Sequence, residues 1–149
     1  ERSRPGIEKT MKVNLLQAIV TQLKTVTDLS NRVYLYSPDL DLNSKTRPFV
    51  VVRSITDMEK ITTFAKAKET DYYLWVYVYP QSHEYKALEL PESVRAALFT
   101  ELTVTIGEDE EAVNYKSLPL DITIERLNGD EDDLERFGSV VSFVIRFYK

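Results

Sequence analysis

The strongest hydrophobic pattern in the chain is residues 72–79, Tyr-Tyr-Leu-Trp-Val-Tyr-Val-Tyr, eight consecutive β-branched, aromatic or apolar residues with no Gly, Pro or charge. Residues of these types form strands, and a strand sends successive side chains to opposite faces. One face therefore carries Tyr72, Leu74, Val76 and Val78, and the other Tyr73, Trp75, Tyr77 and Tyr79. Neither face is built for open water, so the expectation is a central strand covered on both sides. The aliphatic face suits packing beneath helices. The aromatic face combines large apolar bodies with polar tips, which suits either a second layer of the same chain or a partner's surface.

A different period opens the chain. Val13, Leu16, Ile19, Val20, Leu23 and Val26 recur at three- and four-residue spacing, with Gln17, Gln22 and Lys24 mostly between them. That spacing predicts an amphipathic helix from residue 10 or 11 to about residue 27, docked on a sheet. A strand at 32–37 follows, closed by Pro38, then a polar loop and a second strand at 49–55 opened by Pro48. Residues 56–71 hold Thr and Lys with isolated Ile61 and Phe64, and predict a long antiparallel hairpin whose tip, near 60–68, projects beyond the body. Loops longer than the usual hairpin turn are often functional. Lys60, Phe64, Lys66 and Lys68 are therefore candidate contact residues, beside the aromatic face.

After Pro80, the residues Ala87, Leu88, Val94, Ala97, Leu98 and Leu102 fall on roughly helical spacing. Pro in a helix interior removes a hydrogen bond and clashes with the preceding turn. Pro91 is therefore expected at the first position of a second helix running to about residue 101, with room for a helical turn after Ser82. Residues 103–106 read as a short strand and 115–119 as irregular. Residues 120–127 alternate Leu120, Ile122 and Ile124 against Asp121, Thr123 and Glu125, a half-exposed strand. The last strand, 139–148, turns Val141, Phe143, Ile145 and Phe147 one way and Ser142 and Arg146 the other. The fold class is α+β: a mostly antiparallel sheet, an N-terminal amphipathic helix and a second helix packed on one face, and a long protruding β-hairpin.

With 149 residues and 43% hydrophobic composition, residues 11–149 form a single domain large enough to need no disulfide or metal staple. Residues 1–10 are polar and contain Pro5-Gly6; they read as a flexible leader, either a cloning remnant or a genuine arm. No apolar run approaches the roughly 20 residues of a membrane helix, and no signal-peptide pattern is present. The expectation is a soluble protein used without secretion and without membrane contact.

Composition excludes much chemistry. There is no cysteine, one histidine and only four glycines, so thiol catalysis, cysteine zinc sites, His-pair metal motifs and Gly-rich phosphate loops have no material. A triad would have to use His83, which reads as a solvated turn residue. No cofactor is expected. Net charge is −5, and nine of the 24 acids sit in two runs: Glu108, Asp109, Glu110 and Glu111, then Asp130, Glu131, Asp132, Asp133 and Glu135. The rest of the chain holds 15 acids against 19 bases. The second run does not fit a calcium loop, which needs Gly at its sixth place and Glu at its twelfth. Two alternatives stay open on these residues: a metal-dependent nuclease or hydrolase built on the acidic runs, and a monomeric protein-interaction adaptor.

The order of elements from Met11 onward resembles the tail terminator, or tail-completion, proteins of long-tailed phages, which take part in head-tail joining. The resemblance rests on the amphipathic helix at 11–26 and on Arg47-Pro48-Phe49-Val50-Val51-Val52. It continues through the hairpin into strand 72–79, the run Glu92-Ser93-Val94-Arg95-Ala96-Ala97-Leu98, and the aromatic, Arg-containing last strand. It implies a structural protein of the bacteriophage virion with no enzyme activity. The partners implied are copies of itself in a homo-oligomeric ring, commonly a hexamer, the tail tube protein, and the head connector or completion protein. Double-stranded DNA would pass the lumen without specific binding. The location implied is the head-proximal end of the tail in the virion, and the host cytoplasm during assembly. On this reading Tyr73, Trp75, Tyr77, Tyr79 and the hairpin Lys residues contact neighbouring subunits, and the nine clustered acids face the lumen or a docking partner.

Overall fold

The computed structural model describes residues 4–61, 68–81, 83–107, 112–127 and 137–148. In chain order these form α1 (Arg4–Leu23), β1 (Val33–Leu35), β2 (Phe49–Ile61), β3 (Lys68–Tyr79), α2 (Glu84–Leu98), β4 (Leu102–Ile106), β5 (Val113–Ser117), β6 (Leu120–Arg126) and β7 (Ser139–Tyr148). Five strands make one sheet in the order β1-β2-β3-β7-β6, and β4 and β5 pair separately. The β1–β2 pair is parallel and all others are antiparallel. The α+β architecture is the one the alternation predicts.

β3 lies in the middle because it can be buried along most of its inner face. It pairs with β2 from Phe49↔Tyr79 to Ile61↔Lys68, and with β7 from Glu69↔Tyr148 to Val78↔Ser139. The hairpin expected over 56–71 is thus a ladder, and β7 flanks its second strand as far as Glu69. Ile55 is an extra residue in β2, between the pairs Ser54↔Leu74 and Thr56↔Tyr73. Such a bulge bends the strand and increases its twist. A second bulge interrupts β6 between Leu120 and Thr123, where Asp121 takes φ 52°.

The inner face of the sheet carries the core. Val50 and Val52 of β2, Tyr72, Leu74, Val76 and Val78 of β3, and Val141, Phe143, Ile145 and Phe147 of β7 are all buried there. Over them lie Met11, Leu15, Ile19 and Leu23 of α1, Leu90, Val94 and Leu98 of α2, and Leu102 and Val104 of β4. Burying each such aliphatic side chain contributes about 1.5–3 kcal/mol. Polar side chains then fix how the inner layer is assembled. Asn14 Nδ2 donates to the Thr105 carbonyl at 2.9 Å, and Gln22 Nε2 donates to the Ala97 carbonyl at 3.0 Å.

Four expectations change. First, α1 starts at Arg4, with Pro5 in its first turn, where a missing N–H removes no intrahelical bond. Its buried stripe is Met11, Leu15, Ile19 and Leu23, spaced by four, while Val13 is 45% exposed. Leu16, Val20 and Val26 are half-buried at its edges. The helix ends at Leu23 rather than residue 27. The N–H groups of Thr25 and Val26 bond the carbonyls three residues back, and Leu29 folds into the core.

Second, α2 is continuous from Glu84 and Pro91 lies inside it. His83 caps the helix, its Nδ1 accepting from Tyr85 N at 3.2 Å. Pro91 faces the core, so burial of its ring offsets the backbone bond that it cannot make.

Third, residues 115–119 are not irregular: most belong to β5, which pairs with β4 from Leu102↔Ser117 to Ile106↔Val113. The alternation there is faint because β5 rests mainly through Tyr115, whose ring meets Phe147 edge-on at 6.1 Å.

The fourth change concerns the outer face of β3, where Trp75 is 37% exposed although Asp71 and Tyr79 on the same face are buried. Among the described residues no helix is long and apolar enough to cross a membrane.

Candidate functional site

Register across the sheet determines what surrounds the aromatic side chains on the outer face. Trp75 lies opposite Arg53 on β2 and Ser142 on β7; Tyr77 lies opposite Val51 and Val140; Tyr73 lies opposite Thr56 and Val144. Trp75 is 37% exposed and meets the Tyr77 ring edge-on, with centroids 5.9 Å apart. Tyr73 and Tyr77 are half-buried. Arg53 extends the platform, its guanidinium carbon 4.2 Å from the centroid of Tyr36, which is itself exposed. A guanidinium over an aromatic ring keeps its charge while covering apolar surface. Ile55, pushed out by the bulge, adds a 39% exposed aliphatic side chain.

Tyr79 does not share this setting. It is 3% exposed and stacks on Phe49 at 4.9 Å, under Tyr34, Leu40 and Leu42 from the 34–42 segment and Leu127. That segment covers only one end of the face. Asp41 stabilises its short 3-10 turn by accepting from Asn43 N at 3.1 Å, and Lys45 Nζ sits 4.8 Å from the Tyr34 centroid. A second layer therefore exists over Phe49, Val51 and Tyr79, and stops before Trp75.

The sheet also presents long edges. β1 pairs with β2 only at Val50–Val52, with Tyr36 N donating to the Val52 carbonyl just beyond. β2 continues to Ile61 with no strand on that side among the described residues. β6 forms the opposite edge. Unpaired strand edges are templates for pairing with another chain.

The candidate residues thus fall into groups. Tyr73, Trp75 and Tyr77 come together, while Tyr79 is a core residue. Lys60 and Lys68 occupy the far end of the ladder, next to the pairs Lys60↔Glu69 and Ile61↔Lys68. Lys68 lies seven residues from Trp75, roughly 20 Å along the strand. Phe64 and Lys66 lie outside the described residues, as do Glu108, Asp109, Glu110, Glu111, Asp130, Glu131, Asp132, Asp133 and Glu135. Sequence reading missed Arg53, Tyr36 and Ile55 as parts of the platform. Alternation gave the side on which Arg53 lies, but only strand register gives its neighbour.

Reaction chemistry finds little support in the described residues. His83 is exposed at the start of α2, with Nδ1 engaged in the cap. No group of three His, Asp or Glu side chains among the described residues could hold a metal ion. An open cleft of about 410 Å³ is lined by Thr27, Asp28, Ser30, Asn31, Arg32, Pro48 and Gln81. The aromatic platform is amphipathic and open to solvent at Trp75. Its composition suits contact with a macromolecular surface.

No protein-family model matches the chain, and no curated protein matches it. Among solved structures, a chain from the "Virion of native gene transfer agent (GTA) particle" is similar, at 14% identity and a TM-score of 0.49. The match covers 93% of this chain and 96% of that chain.

Proposed function

We propose that this chain is a structural subunit of a phage tail, a terminator that closes into a homo-oligomeric ring on the end of the tail tube. The ring stops tube elongation and offers a surface to the head connector. The observation that carries this reading is the open aromatic face at the centre of the sheet, with Trp75 exposed between half-buried Tyr73 and Tyr77. The element order resembling the terminators supports it, as does the β2 edge beyond Val52, which has no strand beside it among the described residues. A heterologous contact between that edge or platform and a different surface of the next copy closes into a ring when the rotation closes. The hairpin end, with Lys60, Phe64, Lys66 and Lys68, is the arm that reaches the neighbour. The two acidic runs face the lumen or the docking partner, where their charge keeps DNA sliding or meets a basic surface.

The test is the native mass of the full chain, alone and with tail-tube protein, read by sedimentation and by electron microscopy of negatively stained particles. Rings are expected, and Trp75→Glu should abolish them while leaving the thermal melt of the free chain nearly unchanged. A chain that stays single with and without tube protein, or Trp75→Glu rings identical to wild type, overturns the proposal.

A further inference from the structure

α2 presents a second surface that the platform does not absorb. Its inner side, Ala87, Leu90, Pro91, Val94 and Leu98, is buried in the core. Its outer side carries Tyr85 at 65% exposure, Leu88 at 56% and, at the C-cap, Phe99 at 69%, three of the most exposed large apolar residues of the described chain. Between Leu88 and Phe99 the same stripe holds Glu92, Arg95 and Ala96, all exposed. Glu92, Arg95, Ala96 and Phe99 wall a shallow hollow of about 320 Å³. These four are spaced i, i+3, i+4 and i+7, the pattern of a hole that receives a side chain from a facing helix.

The order of the stripe, apolar, acidic, basic, apolar, is self-complementary in one orientation only. Set antiparallel to itself about a two-fold axis between residues 92 and 95, the helix places Leu88 against Phe99 of a second copy and Glu92 against Arg95. The same two contacts recur on the other side of the axis. Ala96, with a single methyl group, lets the helices approach beside the axis. Set parallel in register, the helix places Glu92 on Glu92 and Arg95 on Arg95, which repel. We infer that the outer stripe of α2 is an isologous contact, docking on α2 of a second copy of this chain in antiparallel orientation. This contact joins copies two by two, and so differs from the heterologous contact that builds a ring.

A charge-exchange series tests it, with self-association of the full-length chain measured by sedimentation over a concentration series. Glu92→Arg or Arg95→Glu alone brings like charges together and should raise the dissociation constant of this contact about tenfold or more. The double variant, Glu92→Arg with Arg95→Glu, reverses both partners and should associate like wild type. All these positions are exposed, and unchanged melting curves check that folding is intact. Single variants that associate like wild type overturn the inference, as does a double variant no better than either single. If the series loses tail-tube binding without changing self-association, α2 serves a foreign partner and the two-fold contact is wrong. Failure here with ring loss intact in Trp75→Glu leaves the ring proposal standing, because the two surfaces lie on opposite layers.

Discussion

Arg146 of β7 grips Asp71 of β3 with both arms of its guanidinium, Nε donating to Oδ1 at 2.8 Å and Nη2 to Oδ2 at 3.1 Å. The two residues are direct cross-strand partners, and the Asp71 side chain is 2% exposed against 34% for Arg146. A charged pair placed in a β-ladder near the hairpin end fixes the register where apolar alternation fades, because a one-residue slip would leave the carboxylate buried without its guanidinium.

Removing one partner should therefore cost more than removing both. Arg146→Met is expected to destabilise the chain by about 3 kcal/mol, the low end for a broken buried pair because Arg146 is partly solvated. Asp71→Leu combined with Arg146→Met should recover much of that loss. Urea unfolding of the two variants measures it. A double variant weaker than Arg146→Met would show that the carboxylate is held by its other contacts and not by this pair.

The packing of α1 separates two readings of its sequence. Val13 and Ile19 both fit a helical apolar stripe, yet Val13 is 45% exposed and Ile19 is fully buried. Ile19→Ala should cost about 2–5 kcal/mol, and Val13→Ala should stay within about 0.5 kcal/mol. Equal losses in thermal unfolding would place Val13 in the core and contradict this stripe.

What could be read from the chain follows from where apolar period is strong. β3 is apolar or aromatic on both faces over 72–79 and β7 carries Val141, Phe143, Ile145 and Phe147 on one face, so their inner faces are legible residue by residue. In α1 the apolar positions are more numerous than one stripe needs, and period alone could not choose between Val13 and Met11. Pro91 was misread because its cost to the helix is visible in sequence, while the buried site that accepts its ring is not. The same limit applies to the aromatic face. Alternation puts Asp71, Tyr73, Trp75, Tyr77 and Tyr79 on one side; it does not tell that Asp71 and Tyr79 are buried there while Trp75 between them is 37% exposed.

Pro91 itself gives a prediction of opposite sign to most substitutions. Alanine at this position restores the N–H facing the Ala87 carbonyl and removes a helix-interior proline penalty of up to about 3 kcal/mol. It also deletes buried ring methylenes, at about 0.8 kcal/mol each. The balance should leave Pro91→Ala as stable as wild type or more so, with a higher melting temperature the clearest outcome. A loss of more than about 2 kcal/mol, the range of a cavity left in a core, would mean that ring packing outweighs the backbone bond.

In the proposed ring the hairpin end reaches the neighbouring subunit. β2 and β3 are paired out to Ile61↔Lys68, so residues 62–67 can be replaced by a two-residue Asn-Gly connection without asking the ladder to change register. Because β7 flanks β3 as far as Glu69, the shortened chain keeps its core and its sheet, and its melting temperature should match that of wild type. Phe64 and Lys66 are removed by this change, while Lys60 and Lys68 stay. If the arm grips the next copy, sedimentation of the shortened chain should show no rings, only single subunits and the pairs made through α2, and mixing it with wild type should poison ring closure in proportion to its share. Rings that form at wild-type concentration from the shortened chain would take the arm out of the assembly contact and leave it to the Trp75 platform and the β2 edge alone.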